Sequence, residues 1–297
     1  MANATEAHNH EQAHSNIPLD TESYSIAPSE LSLEQVHVYV RHGERTPVRV
    51  RMAEPPASIN PHWNLCRTAR QFRASVATFG DAVQDSLRSS DGIEFLPVKR
   101  VVEREDGNTM EGECLLGELT DMGRQTTYNF GRSLRKIYVE KLGFLPDTLS
   151  SNSDGYFRST NMPRTIESLQ QVMHGLYPRS KLAHGVIPQL RVRNGLDENL
   201  VPNTFACKRL EVLLVGFAQA AAAAYNHTLE PLDEKLSKYI GGNPIRIDGQ
   251  PRASGILDTI RASVANGIDV PPEFKEKSVM DLIEKAVVTE WFAGINL

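Results

Sequence analysis

One segment decides how this chain folds: Arg41-His42-Gly43-Glu44-Arg45-Thr46-Pro47. It follows directly on the apolar run from Val36 to Val40, and this order predicts a buried parallel strand that ends where a loop begins. Open α/β sheets bind ligands outside the carboxyl ends of their strands. We therefore expect the side chains of this loop to face a ligand.

The residue types of the loop indicate which ligand. Arg41 and Arg45 bracket His42, and a guanidinium group matches two phosphate oxygens at once. The two positive charges disfavour the imidazolium form, and a neutral imidazole can attack phosphorus. Gly43 lets backbone approach an anion closely, and Pro47 fixes the turn out of the loop. The pattern favours a phosphate site with His42 as nucleophile over a surface loop with scattered charge.

Two further segments extend the pattern. They run Gly117-Glu118-Leu119-Thr120-Asp121-Met122-Gly123 and Arg158-Ser159-Thr160-Asn161-Met162-Pro163-Arg164-Thr165. The three segments resemble the RHGxRxP, GxLTxxG and RSTxxxRT signatures of the histidine acid phosphatases, the acid phosphatase and phytase branch of the histidine phosphatase superfamily. Within that family, the chain is most similar to intracellular lysophosphatidic-acid-phosphatase-like members.

The resemblance implies a fold and a mechanism. The fold class is α/β: a mostly parallel sheet flanked by helices, as in phosphoglycerate mutase, with an α-helical cap. His42 would become a phosphohistidine, and Arg41, Arg45 and Arg164 would hold the phosphate. The substrate would be a small-molecule phosphate monoester, and neither a metal nor a cofactor is expected.

The family's His-Asp pair has no counterpart in this sequence. In the family this pair lies near the carboxyl end and its aspartate protonates the leaving group, but no His-Asp dipeptide occurs here. We therefore expect a chain that lacks the C-terminal core strand, with impaired activity and self-association through an open sheet edge at Val36–Val40. The alternative is a non-catalytic phosphate-binding pseudoenzyme or truncated paralogue. A phosphoglycerate-mutase-like transferase is a weaker third possibility.

The composition limits the classes of partner and the location that we expect. The 297 residues are 40% hydrophobic with a net charge of −5, a mildly acidic balance that argues against nucleic acid as a partner. No apolar run approaches 18 residues, so no transmembrane segment is expected. Without a secretory signal at the start, we expect a cytoplasmic protein. Cys66, Cys114 and Cys207 are an odd number and widely spaced, which predicts reduced thiols.

The chain divides into three predicted stretches. Residues 1–30 are polar and predicted to be disordered; His8, His10 and His14 could meet a metal there, although a solvated tail is favoured. Residues 31–194 would form the α/β phosphatase core, with an insert at 48–117. Residues 195–297 would form the helical cap, because their apolar residues follow helical spacing without strands.

Two helices are predicted to carry site residues. One begins at Thr120 or Asp121 and ends at Gly143. The other is capped by Asn161, which places Arg164 in its first turn, where exposed N–H groups favour anions. The alternative role for Arg164 is a salt bridge. Arg158 and Glu44 are expected to brace their loops rather than act on the substrate.

Overall fold

The computed structural model describes residues 19–67, 71–77 and 93–292, with backbone alone over 71–77 and 93–99. Its strands are β1 (Gln71–Ala77), β2 (Ile93–Lys99), β3 (Val102–Glu103), β4 (Thr109–Met110), β5 (Phe157–Arg158) and β6 (Leu190–Arg191). Its α-helices are α1 (Asp121–Arg135), α2 (Pro163–Leu176), α3 (Lys208–Leu229), α4 (Asp233–Leu236), α5 (Ala253–Ala265) and α6 (Lys277–Phe292). Helix α1 continues as a π-helical stretch over Lys136–Lys141.

The strands form three small sheets. β1 pairs with β2 and β3 with β4, both antiparallel, whereas β5 and β6 are parallel. An isolated parallel bridge also joins Leu149 and Leu182. The structure is thus helical with small sheets, and the predicted larger parallel sheet remains a prediction.

The segment before the histidine loop does not form the predicted strand. Val36 to Val40 has no assigned secondary structure, and Val38, Tyr39 and Val40 are 45%, 82% and 52% exposed. The prediction of a buried strand here is wrong in this structure, because no described strand lies beside the segment to pair with its backbone. The expected open sheet edge is absent for the same reason, although the apolar side chains are exposed. Self-association of the chain remains a prediction.

Helices α1 and α2 are held together by two glycines. A Cβ atom on Gly131 of α1 would lie 2.2 Å from the Val172 carbonyl oxygen of α2. A Cβ atom on Gly175 of α2 would lie 2.2 Å from the carbonyl oxygen of Tyr128. The backbones therefore touch directly at both points, which positions the first turns of the two helices.

Two apolar clusters fill the described structure. The first lies around α1 and α2 and includes Ile137, Leu149 and Leu176. Leu19 and Tyr24 pack against it, and the Tyr24 hydroxyl lies 3.0 Å from the Tyr138 hydroxyl. The N-terminal part of the predicted tail, residues 1–18, lies outside the described residues.

The second cluster belongs to the helices after residue 195. Leu229 of α3, Ile256 and Ile260 of α5, and Ile283 of α6 are almost fully buried in it. Helical spacing predicts this cluster, since these side chains recur every three or four residues along their helices. As predicted, no named strand occurs in the described part of this region.

The cysteine prediction is wrong for two of the three residues. Cys66 and Cys114 form a disulfide with their Cα atoms 5.2 Å apart, while Cys207 is free and exposed. The backbone N–H of Cys66 donates to Gly112 O, and that of Cys114 donates to Trp63 O, each at 2.9 Å. These two hydrogen bonds bring segments 48 residues apart into disulfide range. Wide spacing in sequence therefore concealed a close approach in space.

Because Cys66 and Cys114 are paired, the cysteines no longer support the expectation that the protein lies in a reducing compartment. The cytoplasmic location remains a prediction. Across residues 19–67, 71–77 and 93–292, no helix combines the length and the apolar character needed to span a bilayer.

The α1–α2 contact gives a stability prediction. We expect Gly131→Ala to destabilise the protein by about 1–3 kcal/mol, since the new methyl group meets fixed backbone. Gly216→Ala in α3 is the matched control, because nothing lies within 4 Å of its Cβ position. That control should instead gain about 0.5–1 kcal/mol from better helix propensity. Urea unfolding of both variants measures this, and equal effects would mean that the helices do not touch at Gly131.

Candidate active site

The histidine loop is anchored to the segment that leads into α1. Arg45 forms an antiparallel bridge with Leu119, the Thr46 N–H donates to Glu118 O, and the Thr120 N–H donates to Glu44 O, both at 3.0 Å. The Thr120 side chain also caps α1 by accepting from the Gly123 N–H. Two of the predicted motifs therefore form one unit, in which the loop runs beside the start of a helix.

Two glycines permit this approach. A Cβ atom on Gly43 would lie 2.4 Å from the carbonyl oxygen of Gly123, and one on Gly123 would lie 2.1 Å from that of Glu44. Neither position tolerates a side chain. Gly43 therefore makes room for the first turn of α1, whereas the sequence suggested that it makes room for an anion.

The His42 ring is oriented by its own loop. Nδ1 lies 2.8 Å from Gly43 O, and because a carbonyl can only accept, Nδ1 carries the proton. Nε2 then holds a lone pair, and it accepts a long hydrogen bond of 3.3 Å from Arg45 Nε. Burial lowers the pKa of His42 to about 4, with the charges of Arg41, Arg45 and Arg164 acting in the same direction and the Gly43 carbonyl opposing them. The imidazole is therefore neutral, and burial contributes more to this than the arginines that the sequence pointed to.

Arg45 is buried and fully engaged. Besides His42, its guanidinium donates to Thr46 O at 2.8 Å and to the Asp258 carboxylate of α5 at 2.7 Å. The side-chain amide of Asn266 donates to Arg45 O. These contacts fix the guanidinium against the imidazole.

The other two predicted phosphate ligands have no acidic partner. Among the described residues, neither Arg41 nor Arg164 makes an ion pair, and the Arg164 guanidinium donates a hydrogen bond to Met162 Sδ at 3.7 Å. Burial lowers the pKa of each, and their mutual repulsion with Arg45 lowers it further. The structure thus brings Arg41, Arg45 and Arg164 around His42, and the salt bridge considered for Arg164 does not form in this part of the chain.

Arg164 occupies the first turn of α2, as predicted, although the N-cap is Met162 rather than Asn161. Its position is coupled to the histidine loop through Ser168, whose hydroxyl donates to Arg164 O at 2.8 Å and accepts from the Gly43 N–H at 3.0 Å. Sequence patterns gave no sign of this serine, because its partner in the histidine loop lies 125 residues away along the chain.

The two predicted braces act as braces. Arg158 donates to Glu198 at 2.5 Å and to Asn199 at 2.7 Å. The Glu44 carboxylate accepts from the Thr126 hydroxyl of α1. Neither side chain is placed as a phosphate ligand.

A cavity of about 1440 Å³ opens beside the loop. Its lining includes Arg41, His42 and Arg45 and also the apolar end of α6, with Val288, Trp291 and Phe292. A lining with both charged and apolar residues suits an amphipathic molecule.

The sequence did not reveal several charged residues of this cavity, among them Asp258 and Arg51. Asp258 lies in α5 between buried apolar positions, and it meets Arg45 only because α5 packs over the loop. The fold joins residues 213 positions apart, and no local signal predicts such a pair.

No metal site is found in the part of the chain that the structure describes, where three or more histidine, cysteine or carboxylate side chains never converge. The tail histidines lie outside it. Two of them belong to the segment His10-Glu11-Gln12-Ala13-His14. This spacing of two histidines and a glutamate is typical of zinc proteases when it lies on a helix.

Comparisons with known proteins agree with this geometry. The family model for the histidine phosphatase superfamily, branch 2, matches residues 32–253, which include all three motifs. The chain belongs to this family. It is 40% identical over 272 residues to a probable acid phosphatase of Schizosaccharomyces pombe, covering 91% of this chain and 58% of that protein.

More distant relatives give similar coverage. Human lysophosphatidic acid phosphatase type 6 is 26% identical, over 88% of this chain and 56% of its own length. Counting factor 60 of Dictyostelium discoideum is 27% identical, over 88% of this chain and 60% of its own. The chain therefore spans less than two thirds of the length of these relatives.

The environment of His42 predicts an unusual titration. We expect its imidazole to stay neutral down to about pH 5 and to titrate near pH 4 rather than 6.5, measured by NMR of ¹⁵N-labelled histidine with His42→Ala for assignment. Arg164→Gln should raise this pKa, and Arg209→Gln, an exposed residue of α3, should leave it unchanged. A midpoint at or above 6.5 would contradict the burial of the ring.

The same shift affects stability. The unfolded chain takes up a proton at this position near pH 6.5, whereas the folded chain resists it until about pH 4. His42 therefore lowers the free energy of unfolding progressively as the pH falls through this window.

Proposed function

We propose that this chain hydrolyses phosphate monoesters through a phosphohistidine intermediate on His42, with Arg41, Arg45 and Arg164 as phosphate ligands. No cofactor takes part. The substrate is a small molecule with a single transferable phosphate group.

One observation carries the proposal. A neutral imidazole lies among three guanidinium groups, two of which lack an anionic partner within the described residues. Its Nδ1 is hydrogen-bonded to Gly43 O, and its Nε2 lone pair accepts only the long hydrogen bond from Arg45 Nε. Holding like charges this close together without an anion between them is unfavourable. A bound phosphate dianion would relieve that cost, and it would lie within reach of Nε2.

The first step transfers the phosphoryl group. Nε2 uses its lone pair to form a bond to phosphorus, and the bond from phosphorus to the ester oxygen breaks, with its electron pair leaving on that oxygen. Charge is spread over the three equatorial oxygens, so the arginines stabilise the transition state electrostatically. Arg45 Nε shifts its weak hydrogen bond from Nε2 to a phosphate oxygen.

The second step releases the phosphate. Water attacks phosphorus, the P–Nε2 bond breaks, and its electron pair returns to Nε2 as inorganic phosphate forms. Because the pKa of His42 is about 4, the ring remains a nucleophile at pH 5, where an ordinary histidine is protonated. This property suits activity in acid solution, in line with relatives that are named acid phosphatases.

The leaving oxygen needs a proton, and the family's donor does not occur within these 297 residues. The sequence has no His-Asp pair, and its one His-Glu pair, His10-Glu11, lies outside the described residues. Glu44 is engaged with Thr126, and Asp258 with Arg45. We propose that the chain on its own turns over slowly, because a positioned acid normally contributes about 10²–10⁴-fold.

The intermediate can be trapped directly. Incubating the chain with a ³²P-labelled aryl phosphate and quenching should leave label that is acid-labile and base-stable, as expected for a phosphoramidate. His42→Ala should abolish this label, and His184→Ala, at an exposed position, should retain it. Undiminished labelling of His42→Ala would overturn the assignment of the nucleophile.

Leaving groups provide a second test. We expect kcat/KM on nitrophenyl phosphate to exceed that on glycerol 2-phosphate by roughly 10²–10⁴-fold, because only the alkoxide requires a proton. Equal rates would show that another residue acts as the acid. Glu44→Gln and Asp258→Asn would then identify which carboxylate is responsible.

A non-catalytic phosphate-binding role is the second candidate, favoured by the same lack of a His-Asp pair. It predicts binding of inorganic phosphate by calorimetry without any covalent label. Binding combined with label on His42 would exclude it.

A further inference from the structure

Arg51 is a charged residue of the cavity that the catalytic proposal leaves without a role. It lies four residues after Pro47, the last residue of the histidine loop, and it lines the same cavity as Arg41, His42 and Arg45. It is partly buried, unlike its exposed neighbour Arg49. Its guanidinium is therefore fixed at the wall rather than free in solvent.

A glycine of α5 creates the place for this guanidinium. A Cβ atom on Gly255 would lie 2.7 Å from Arg51 Nε, 2.8 Å from Cζ and 2.9 Å from Nη2. The flat group thus lies directly against the helix backbone, and any side chain at residue 255 would displace it. Since the obstructed atoms are the far end of a flexible side chain, such a change would move Arg51 without unfolding the helix.

Arg51 has no partner of its own. Within the described residues it makes no ion pair or hydrogen bond, and its Nη1 atom is buried without an acceptor. Burial lowers the pKa of Arg51, the charge of Asp258 opposes this, and the charge of Arg49 adds to it. Asp258 is already occupied, because it accepts from Arg45 Nη2 at 2.7 Å and from the Val48 N–H at 3.2 Å.

Two other arginines of the cavity, in contrast, have acidic partners. Arg252 pairs with Glu290 at 3.4 Å, and Arg261 donates to Glu284 at 2.9 Å. Their charges are balanced by glutamates of α6. Arg51 therefore lines the cavity as a partly buried cation with an unsatisfied donor.

We infer that Arg51, seated on Gly255, forms a second anion-binding position in the cavity. It would take a second negatively charged group, a phosphate or a carboxylate, of a ligand whose first phosphate lies at Arg41, Arg45 and Arg164. The inference rests on the proposed function for that first position. The chemical class of ligand is therefore a phosphate monoester that carries another anionic group.

Phosphonates test this without turnover. Calorimetry on the 297-residue chain would compare propylphosphonate with a series of straight-chain bisphosphonates from ethane to hexane. The bisphosphonate of matching length should bind about tenfold more tightly or better, since a hydrogen-bonded charge pair contributes about 1.5–3 kcal/mol. Arg51→Gln and Gly255→Ala should each reduce this ratio to the statistical factor of about two that any ligand with two equal ends shows.

Two control variants separate the possible failures. Arg209→Gln removes one exposed charge of α3 and should leave the ratio unchanged. Arg164→Gln should weaken both ligands, because it acts on the first phosphate. If propylphosphonate binds and depends on Arg164 but no bisphosphonate gains on it, the role of Arg51 is overturned while the first site stands. If neither ligand binds, or if Arg164→Gln has no effect on either, the phosphate site itself is overturned, and the second position falls with it. Equal ratios in the Arg51→Gln variant and the unchanged chain would also overturn the inference.

Discussion

The direct backbone contact between Gly43 and Gly123 is the constraint on which the site depends. It presses the histidine loop against the first turn of α1, and the hydrogen bonds of Thr46 and Thr120 complete the junction. Gly131 and Gly175 make the same kind of direct backbone contact where α2 packs on α1. Because α2 carries Arg164, two glycine contacts in series determine how far that guanidinium lies from His42.

Unfavourable interactions between like charges are concentrated around His42. Three guanidinium groups surround one imidazole, and among the described residues the one carboxylate that contacts any of them is that of Asp258 in α5. The helical region therefore does more than cover the cavity: it supplies the charge that fixes Arg45 and, through Gly255, the surface on which Arg51 lies. The histidine loop and α5 are thus joined by the ion pair between Arg45 and Asp258.

The sequence predicted what depends on local pattern. Helical spacing located α1, α2 and α5, and the motifs brought together His42 and its arginines, because residue type and capping are local properties. The sequence did not predict features that depend on which distant segments pair with each other. Val36 to Val40 has the composition of a strand, but a strand requires a neighbour that composition does not specify. Contacts between residues far apart in the sequence are not encoded in the spacing of residues along the chain. Those contacts include the ones made by Asp258, by Ser168 and by the Cys66–Cys114 disulfide.

The disulfide has a practical consequence. Cys66–Cys114 ties the segment around Trp63 to the residues that lead into Leu115–Leu119, and Thr46 donates to Leu115 O at 2.7 Å in that stretch. Cys207, at the start of α3, supplies an exposed third thiol for exchange. Material made in a reducing compartment and material made in an oxidising one are therefore distinct covalent species, and a preparation must be defined by its thiol content before two samples of this protein can be treated as the same molecule.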